Sequence, residues 1–262
     1  MTPVVLGIIE GITEFLPISS TGHLIIANQF FHLESNFREM FDVVIQFGAI
    51  LSVIVYFRGR IIPFYKNQTN HQKGEILKLW NKTAVGVIPA LIAGFLLGHK
   101  IKELLFDPVT VAIALILGGV ILIWIEGRNR ISVIKDISEL SYGHALIIGL
   151  FQCLAMVPGT SRSAATIIGA MLMGTSRKVA AEFSFFLAIP TMLAASTYSL
   201  VASGFILTIT QWQVLAVGFV VSFLVAWGVI AIFIDYISKR DFKAFGYYRI
   251  VLGLFILIAY MY

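Results

Sequence analysis

The sequence predicts an all-α polytopic membrane protein, an inverted-topology repeat of six transmembrane helices plus two re-entrant broken-helix hairpins. Three observations carry that expectation. The chain is 58% hydrophobic and only 13% charged, with a mean hydropathy of +0.91, which is beyond the range of soluble domains. Several apolar runs approach or exceed the length that crosses a bilayer. Two further apolar segments are interrupted by proline and a Ser/Thr cluster.

The first broken segment runs from Pro3 to Phe31 and turns at Pro17. Each arm has about 12 residues, roughly 18 Å at 1.5 Å per residue, too short to cross. It therefore reads as a hairpin that enters and leaves on one side. Continuous spans follow at Phe41–Phe57, Ala84–Gly98 and Val109–Ile125. A second broken segment, Tyr142–Met173, precedes spans at Phe183–Ser203, Trp212–Ile234 and Tyr247–Tyr262. The halves look alike: VLGIIEGITEFLPISSTGHLII resembles IIGLFQCLAMVPGTSRSAATII, and FDVVIQFGAILSV resembles FSFFLAIPTMLAA. Residues 1–126 and 140–262 thus read as two repeats within one membrane domain, with hairpins at about 3–31 and about 142–173. Three crossings per half is an odd number, so the second half is inserted upside down.

Charge sets the orientation. Of the nineteen Lys and Arg residues, Arg38, Lys100 and Lys102 lie towards one side and Arg162 lies in the second hairpin. The other fifteen, Arg130 and Arg249 among them, fall towards the opposite side, which is therefore cytoplasmic. The termini and the mouth of the first hairpin face outward, and the second hairpin dips in from the cytoplasm. The net charge of +5 suits loops beside anionic membrane lipids, and no basic run is built for nucleic acid. The lone Cys153 excludes an intramolecular disulfide. The N-terminus lacks a basic n-region and reads as part of the mature fold. Trp80, Trp124 and Trp212, near span ends, read as interfacial anchors. His32, His71, His99 and His144 lie at loop or span ends and are assigned no role.

Ionisable residues at membrane depth mark function by default. Glu10 and Glu14 share one helical face and repel each other. A divalent cation, an Arg or a shared proton would compensate, and Mg²⁺ or Ca²⁺ held against a substrate phosphate fits the pair. After Pro17, Ser19, Ser20 and Thr21 can cap a new helix; Thr160 and Ser161 repeat this after Pro158-Gly159. Helix N-termini with unpaired N–H groups bind anions, and two of them would cradle a phosphate. Arg162 adds a forked permanent charge, and Gly159 permits close backbone approach. His23, within one turn of Ser20, is a candidate nucleophile, acid or base. Gly7 and Gly11 form a close-packing face. Gln46 lies mid-span and either reaches the cavity or pairs with another helix.

EGITEFLPISSTGH, Glu10 to His23, and PGTSRSAAT, Pro158 to Thr166, closely resemble the two signature stretches of the undecaprenyl-diphosphatase family, integral-membrane enzymes also known for bacitracin resistance. The resemblance extends over nearly the whole chain. It implies hydrolysis of a C55 polyprenyl diphosphate to the monophosphate and inorganic phosphate, in the bacterial plasma membrane, recycling a carrier for peptidoglycan assembly. It implies that Glu10 and Glu14 handle metal and proton, that Ser20 and His23 supply nucleophile and acid/base chemistry, and that Arg162, with Ser161 and Thr166, holds phosphate. Ser19, Thr21, Gly159 and Ser163 complete the candidate binding set. The rival class is a polyprenyl-phosphate transporter or flippase, because inverted repeats with broken helices also build carriers. A carrier has use for Arg162 but not for a nucleophile. The sequence leaves the oligomeric state open, a homodimer included.

Overall fold

The structure, a computed structural model, describes residues 1–31, 33–66, 68–128, 132–202 and 207–261. His32, Arg130, Ser203 and Tyr262 lie outside the described residues. Within them the regular structure is helical apart from one isolated bridge between Ile134 and Thr175.

Helices α1 (Thr2–Thr13) and α2 (Ser20–Phe30) form the first hairpin. α1 carries Pro3 in its first turn, where a missing N–H costs nothing. It unwinds into turns over residues 14–18, because Pro17 cannot continue the ladder. Helix α3 (Ser35–Tyr56) and the single turn α4 (Arg58–Ile61) lead to α5 (Asn70–Leu105) and α6 (Pro108–Gly127). The second hairpin is α7 (Tyr142–Gln152) and α8 (Arg162–Leu172), followed by α9 (Arg177–Ala202), α10 (Ile209–Lys239) and α11 (Lys243–Met261). Six helices are long and apolar enough to cross a membrane, while 11- and 12-residue hairpin arms are not.

α5 departs furthest from its expected bounds. The apolar stretch Ala84–Gly98 is only part of a 36-residue helix. The helix begins at a reciprocal cap between Thr69 and Gln72 and runs through polar residues before turning apolar. Its backbone bonds continue where hydropathy stops.

Each hairpin docks its first arm on a long helix through glycine. A Cβ on Gly7 would lie 2.7 Å from the Gly218 carbonyl of α10, and one on Gly11 would lie 2.8 Å from the Ser222 carbonyl. In the other half, Gly149 of α7 crosses α5 at Gly86 with equally little room. α6 packs along α11, and α3 packs on α9 and α10. The core is aromatic: Phe15 meets Phe185 edge-on at 5.0 Å, and Phe57 meets Phe186 at 5.2 Å. At the start of α9, ion pairs join Arg60 to Glu182 and Arg177 to Glu126. Apolar side chains also cover the outside, as at Phe95, Leu96, Ile232 and Val251, the distribution a lipid solvent favours.

Candidate active site

The tips of the hairpins meet. Both turn into their second arm through a serine with positive φ, Ser19 at 72° and Ser161 at 69°. Such a backbone costs about 1–3 kcal/mol at a non-glycine residue and persists only when its surroundings hold it. Each of these serines caps the helix it opens. Ser19 Oγ accepts from Gly22 N, and Ser161 Oγ accepts from Ala164 N, both at 3.3 Å. The caps satisfy donors that would otherwise be orphaned at membrane depth.

Three side chains bridge the junction. Ser20 donates its hydroxyl to Glu14 Oε2 at 2.7 Å. Arg162 Nη2 donates to the other oxygen, Oε1, also at 2.7 Å. This pair is nearly withdrawn from solvent, with side chains 6% and 12% exposed, so its Coulomb attraction is little screened. Arg162 is steadied from behind by the Ser184 carbonyl at 3.0 Å. Ser163 donates to the Leu16 carbonyl at 3.0 Å, stitching the two elbows together.

A cavity of about 170 Å³ opens on this cluster. Glu14, Ser19, Ser20, Thr21, Gly159, Ser161 and Arg162 all line it, with Gln46 and Met192. Gln46 therefore reaches the cavity. Gly159 has a φ of +89°, and a Cβ there would collide with the Val111 carbonyl, so the close approach needs glycine. Thr21 and Gln46 also line a second cavity of about 800 Å³ with Asn28, Arg38, Asp42 and Asp107, which makes it a vestibule. At its rim Asp107 caps α6, where the Thr110 hydroxyl and backbone N–H hold its carboxyl below the ordinary range.

Four expected site residues lie elsewhere. Ser163 and Thr166 do not line the cavity. Ser163 faces the first hairpin, and the Thr166 hydroxyl, one turn beyond Arg162, lies 2.9 Å from the Arg162 carbonyl and 2.7 Å from Ser184 Oγ. His23 does not hydrogen-bond Ser20. Its Nδ1 meets the Ser19 carbonyl at 2.7 Å and its Nε2 meets the Tyr248 hydroxyl at 2.6 Å, ring stacked on ring. Glu10, one turn behind Glu14, is fully buried, and neither carboxylate oxygen has a hydrogen-bond partner among the described residues.

One buried charge was given no role by the sequence reading. Arg249, grouped with the charges of the cytoplasmic side, is fully buried within α11. It donates to carbonyls of α6 and of both elbows. Its flanks, YYRIVLGLF, carried the signal: a charge followed by an apolar run belongs with Glu10 and Glu14, not with a loop.

Residues 3–255 match the family described as bacitracin resistance protein BacA. The chain belongs to that family. It is similar to undecaprenyl-diphosphatase 1 of Clostridioides difficile (strain 630), at 54% identity over 97% of this chain and 93% of the relative. It is also similar to the undecaprenyl-diphosphatase of Enterococcus faecalis, at 49% identity over 97% of this chain and 94% of that one. A third relative, the undecaprenyl-diphosphatase of Fusobacterium nucleatum, is 50% identical, with 97% and 98% covered. With six helices long and apolar enough to cross a membrane, this BacA-family chain is a multi-pass membrane protein.

Proposed function

We propose that this BacA-family chain is a membrane-embedded phosphatase that hydrolyses undecaprenyl diphosphate to undecaprenyl phosphate and inorganic phosphate. The names of the relatives support the substrate. The observation that carries the chemistry is the Ser20–Glu14–Arg162 chain across the hairpin junction. Phosphoryl transfer asks a protein mainly for positioning and charge neutralisation. Arg162 neutralises the terminal phosphate as a forked cation. The N-terminus of α8 faces the same charge.

Glu14, already hydrogen-bonded to Ser20, takes the hydroxyl proton as Ser20 Oγ attacks the terminal phosphorus. The bond from phosphorus to the bridging oxygen breaks and undecaprenyl phosphate leaves. Water then attacks the phosphoserine, releasing phosphate and returning the proton to Ser20. The polyprenyl tail stays in lipid. Ser20 is preferred over His23 as nucleophile because Ser20 lines the cavity, while both His23 nitrogens are engaged by Ser19 and Tyr248. Glu10 fits a divalent cation, since its buried carboxylate lacks any donor. No group of three or more His, Cys, Asp or Glu is gathered among the described residues; Glu10 and Glu14 are the residues that would hold Mg²⁺ or Ca²⁺. Such an ion, when bound, would neutralise phosphate charge. The two halves are read as inverted repeats in the bacterial plasma membrane, with the vestibule opening outward as the Lys and Arg distribution favours.

The test is phosphate release from undecaprenyl diphosphate by purified protein in detergent, without a gradient and with or without chelator. Wild type should release phosphate and Ser20→Ala should not. A phosphoprotein intermediate absent only in His23→Ala would move the attack to His23. No release by wild type at all would sink the phosphatase reading in favour of lipid transport.

A further inference from the structure

Arg249 is the largest fully buried side chain among the described residues. Its helix otherwise shows Tyr247, Val251, Phe255 and Ile258 to the outside. A buried guanidinium remains charged and is expensive to bury unless every donor is met. Arg249 has no carboxylate partner among the described ion pairs, and its donors are met by backbone carbonyls alone. Nε reaches the Leu115 carbonyl at 3.3 Å and Nη1 reaches that of Pro17 at 3.2 Å. Nη2 reaches those of Ala114, Gly159 and Thr160 at 3.2, 3.1 and 2.9 Å. Two of these carbonyls belong to α6, one to the first elbow and two to the second. One side chain thus fastens both hairpin tips to a transmembrane helix. Gly118 makes the space, because a Cβ there would collide with Nη2.

We infer that Arg249 is a positioning residue for the phosphatase reaction: by holding the carbonyls of Pro17, Gly159 and Thr160 it fixes the register of the two elbows and the orientation of their peptide N–H groups. Every described peptide bond is trans, so a carbonyl drawn to one side turns the following N–H to the other. Pulling the Thr160 carbonyl onto Arg249 turns the Ser161 N–H away from it, next to a side chain that lines the cavity. The same fork sets where Glu14 of one hairpin stands against Arg162 of the other. No partner in the fold could substitute: a lysine would bring three donors on a flexible stem, without the planar fork that reaches three chain segments at once.

The inference rests on the proposed hydrolysis. Its test uses Arg249→Lys and, independently, Gly118→Ala, which keeps the arginine and displaces its fork. Folded fraction is measured first by size exclusion and thermal unfolding in detergent. Then kcat and KM for undecaprenyl diphosphate are taken per folded molecule. Both variants should lose about 10- to 100-fold in kcat, the scale set by ångström misplacement of reacting groups, with KM within about twofold. Unchanged kcat per folded molecule in either variant overturns the positioning role. So does failure of both to fold, which would make Arg249 a determinant of folding alone. Wild type that releases no phosphate fails the proposed function instead, and that result is separate from either.

Discussion

The two hairpins share a backbone and divide the chemistry. With Ser19 set against Ser161, each tip has the same left-handed serine, the same cap onto the third residue beyond, and a glycine-lined first arm. The side chains differ at the positions that matter. Glu14 corresponds to Met156, Ser20 to Arg162, and Glu10 to Gln152, which is likewise buried without hydrogen-bond partners. The first hairpin carries acid and hydroxyl and the second carries the cation, so neither is a site alone. On the repeat reading proposed above, one scaffold used twice would supply two helix starts able to face an anion, and a few side-chain differences would make the pair one asymmetric site.

That division can be broken in graded ways. Removing the single cation by Arg162→Ala should cost most, about 10³-fold or more in phosphate release, the scale of a lost arginine at a transferring phosphoryl group; a loss below tenfold would mean the second hairpin is only scaffold. Making the first hairpin like the second by Glu14→Met should cost about 10²–10⁴-fold, the value of a positioned base. It should also leave Arg162 unpaired, visible as lowered thermal stability. Glu10→Gln copies Gln152. It should raise the cation concentration for half-maximal rate by about tenfold or more, because a ligand charge is lost, and an unaltered cation titration would remove Glu10 from the metal site. The smallest effect tests what the hairpins share. Ser19→Ala and Ser161→Ala should each destabilise by about 1–2 kcal/mol, while the glycine variants cost only a few tenths. Matching unfolding shifts in the two hairpins would establish the tips as equivalent, and unequal ones would not.

Much of this was legible in the sequence because lipid imposes simple rules. Apolar length located the spans, and the Pro-Ser breaks located the elbows. Interior charge singled out Glu14 and Arg162, which the fold joins at 2.7 Å. What escaped was relational. The resemblance implies Thr166 as a phosphate ligand, and it does share a helical face with Arg162 four residues before it, but it sits one turn deeper, where its hydroxyl lies 2.7 Å from Ser184 Oγ. His23 stood near Ser20 along the chain, while its nearest partner is 225 residues away in α11. Arg249 was grouped by side with the cytoplasmic charges although the expected span Tyr247–Tyr262 already contained it, and its burial went unread. α11 begins at Lys243, and six residues carry Arg249 roughly 9 Å into the bundle.

The chamber at the junction, about 170 Å³, is ringed by Glu14, Ser20, Thr21 and Arg162, whereas the adjoining cavity of about 800 Å³ adds Leu24, Ile25, Val43 and Phe106. Tail length is therefore expected to be felt along that apolar wall and in the surrounding lipid, so short water-soluble analogues should be turned over once they arrive but should arrive rarely.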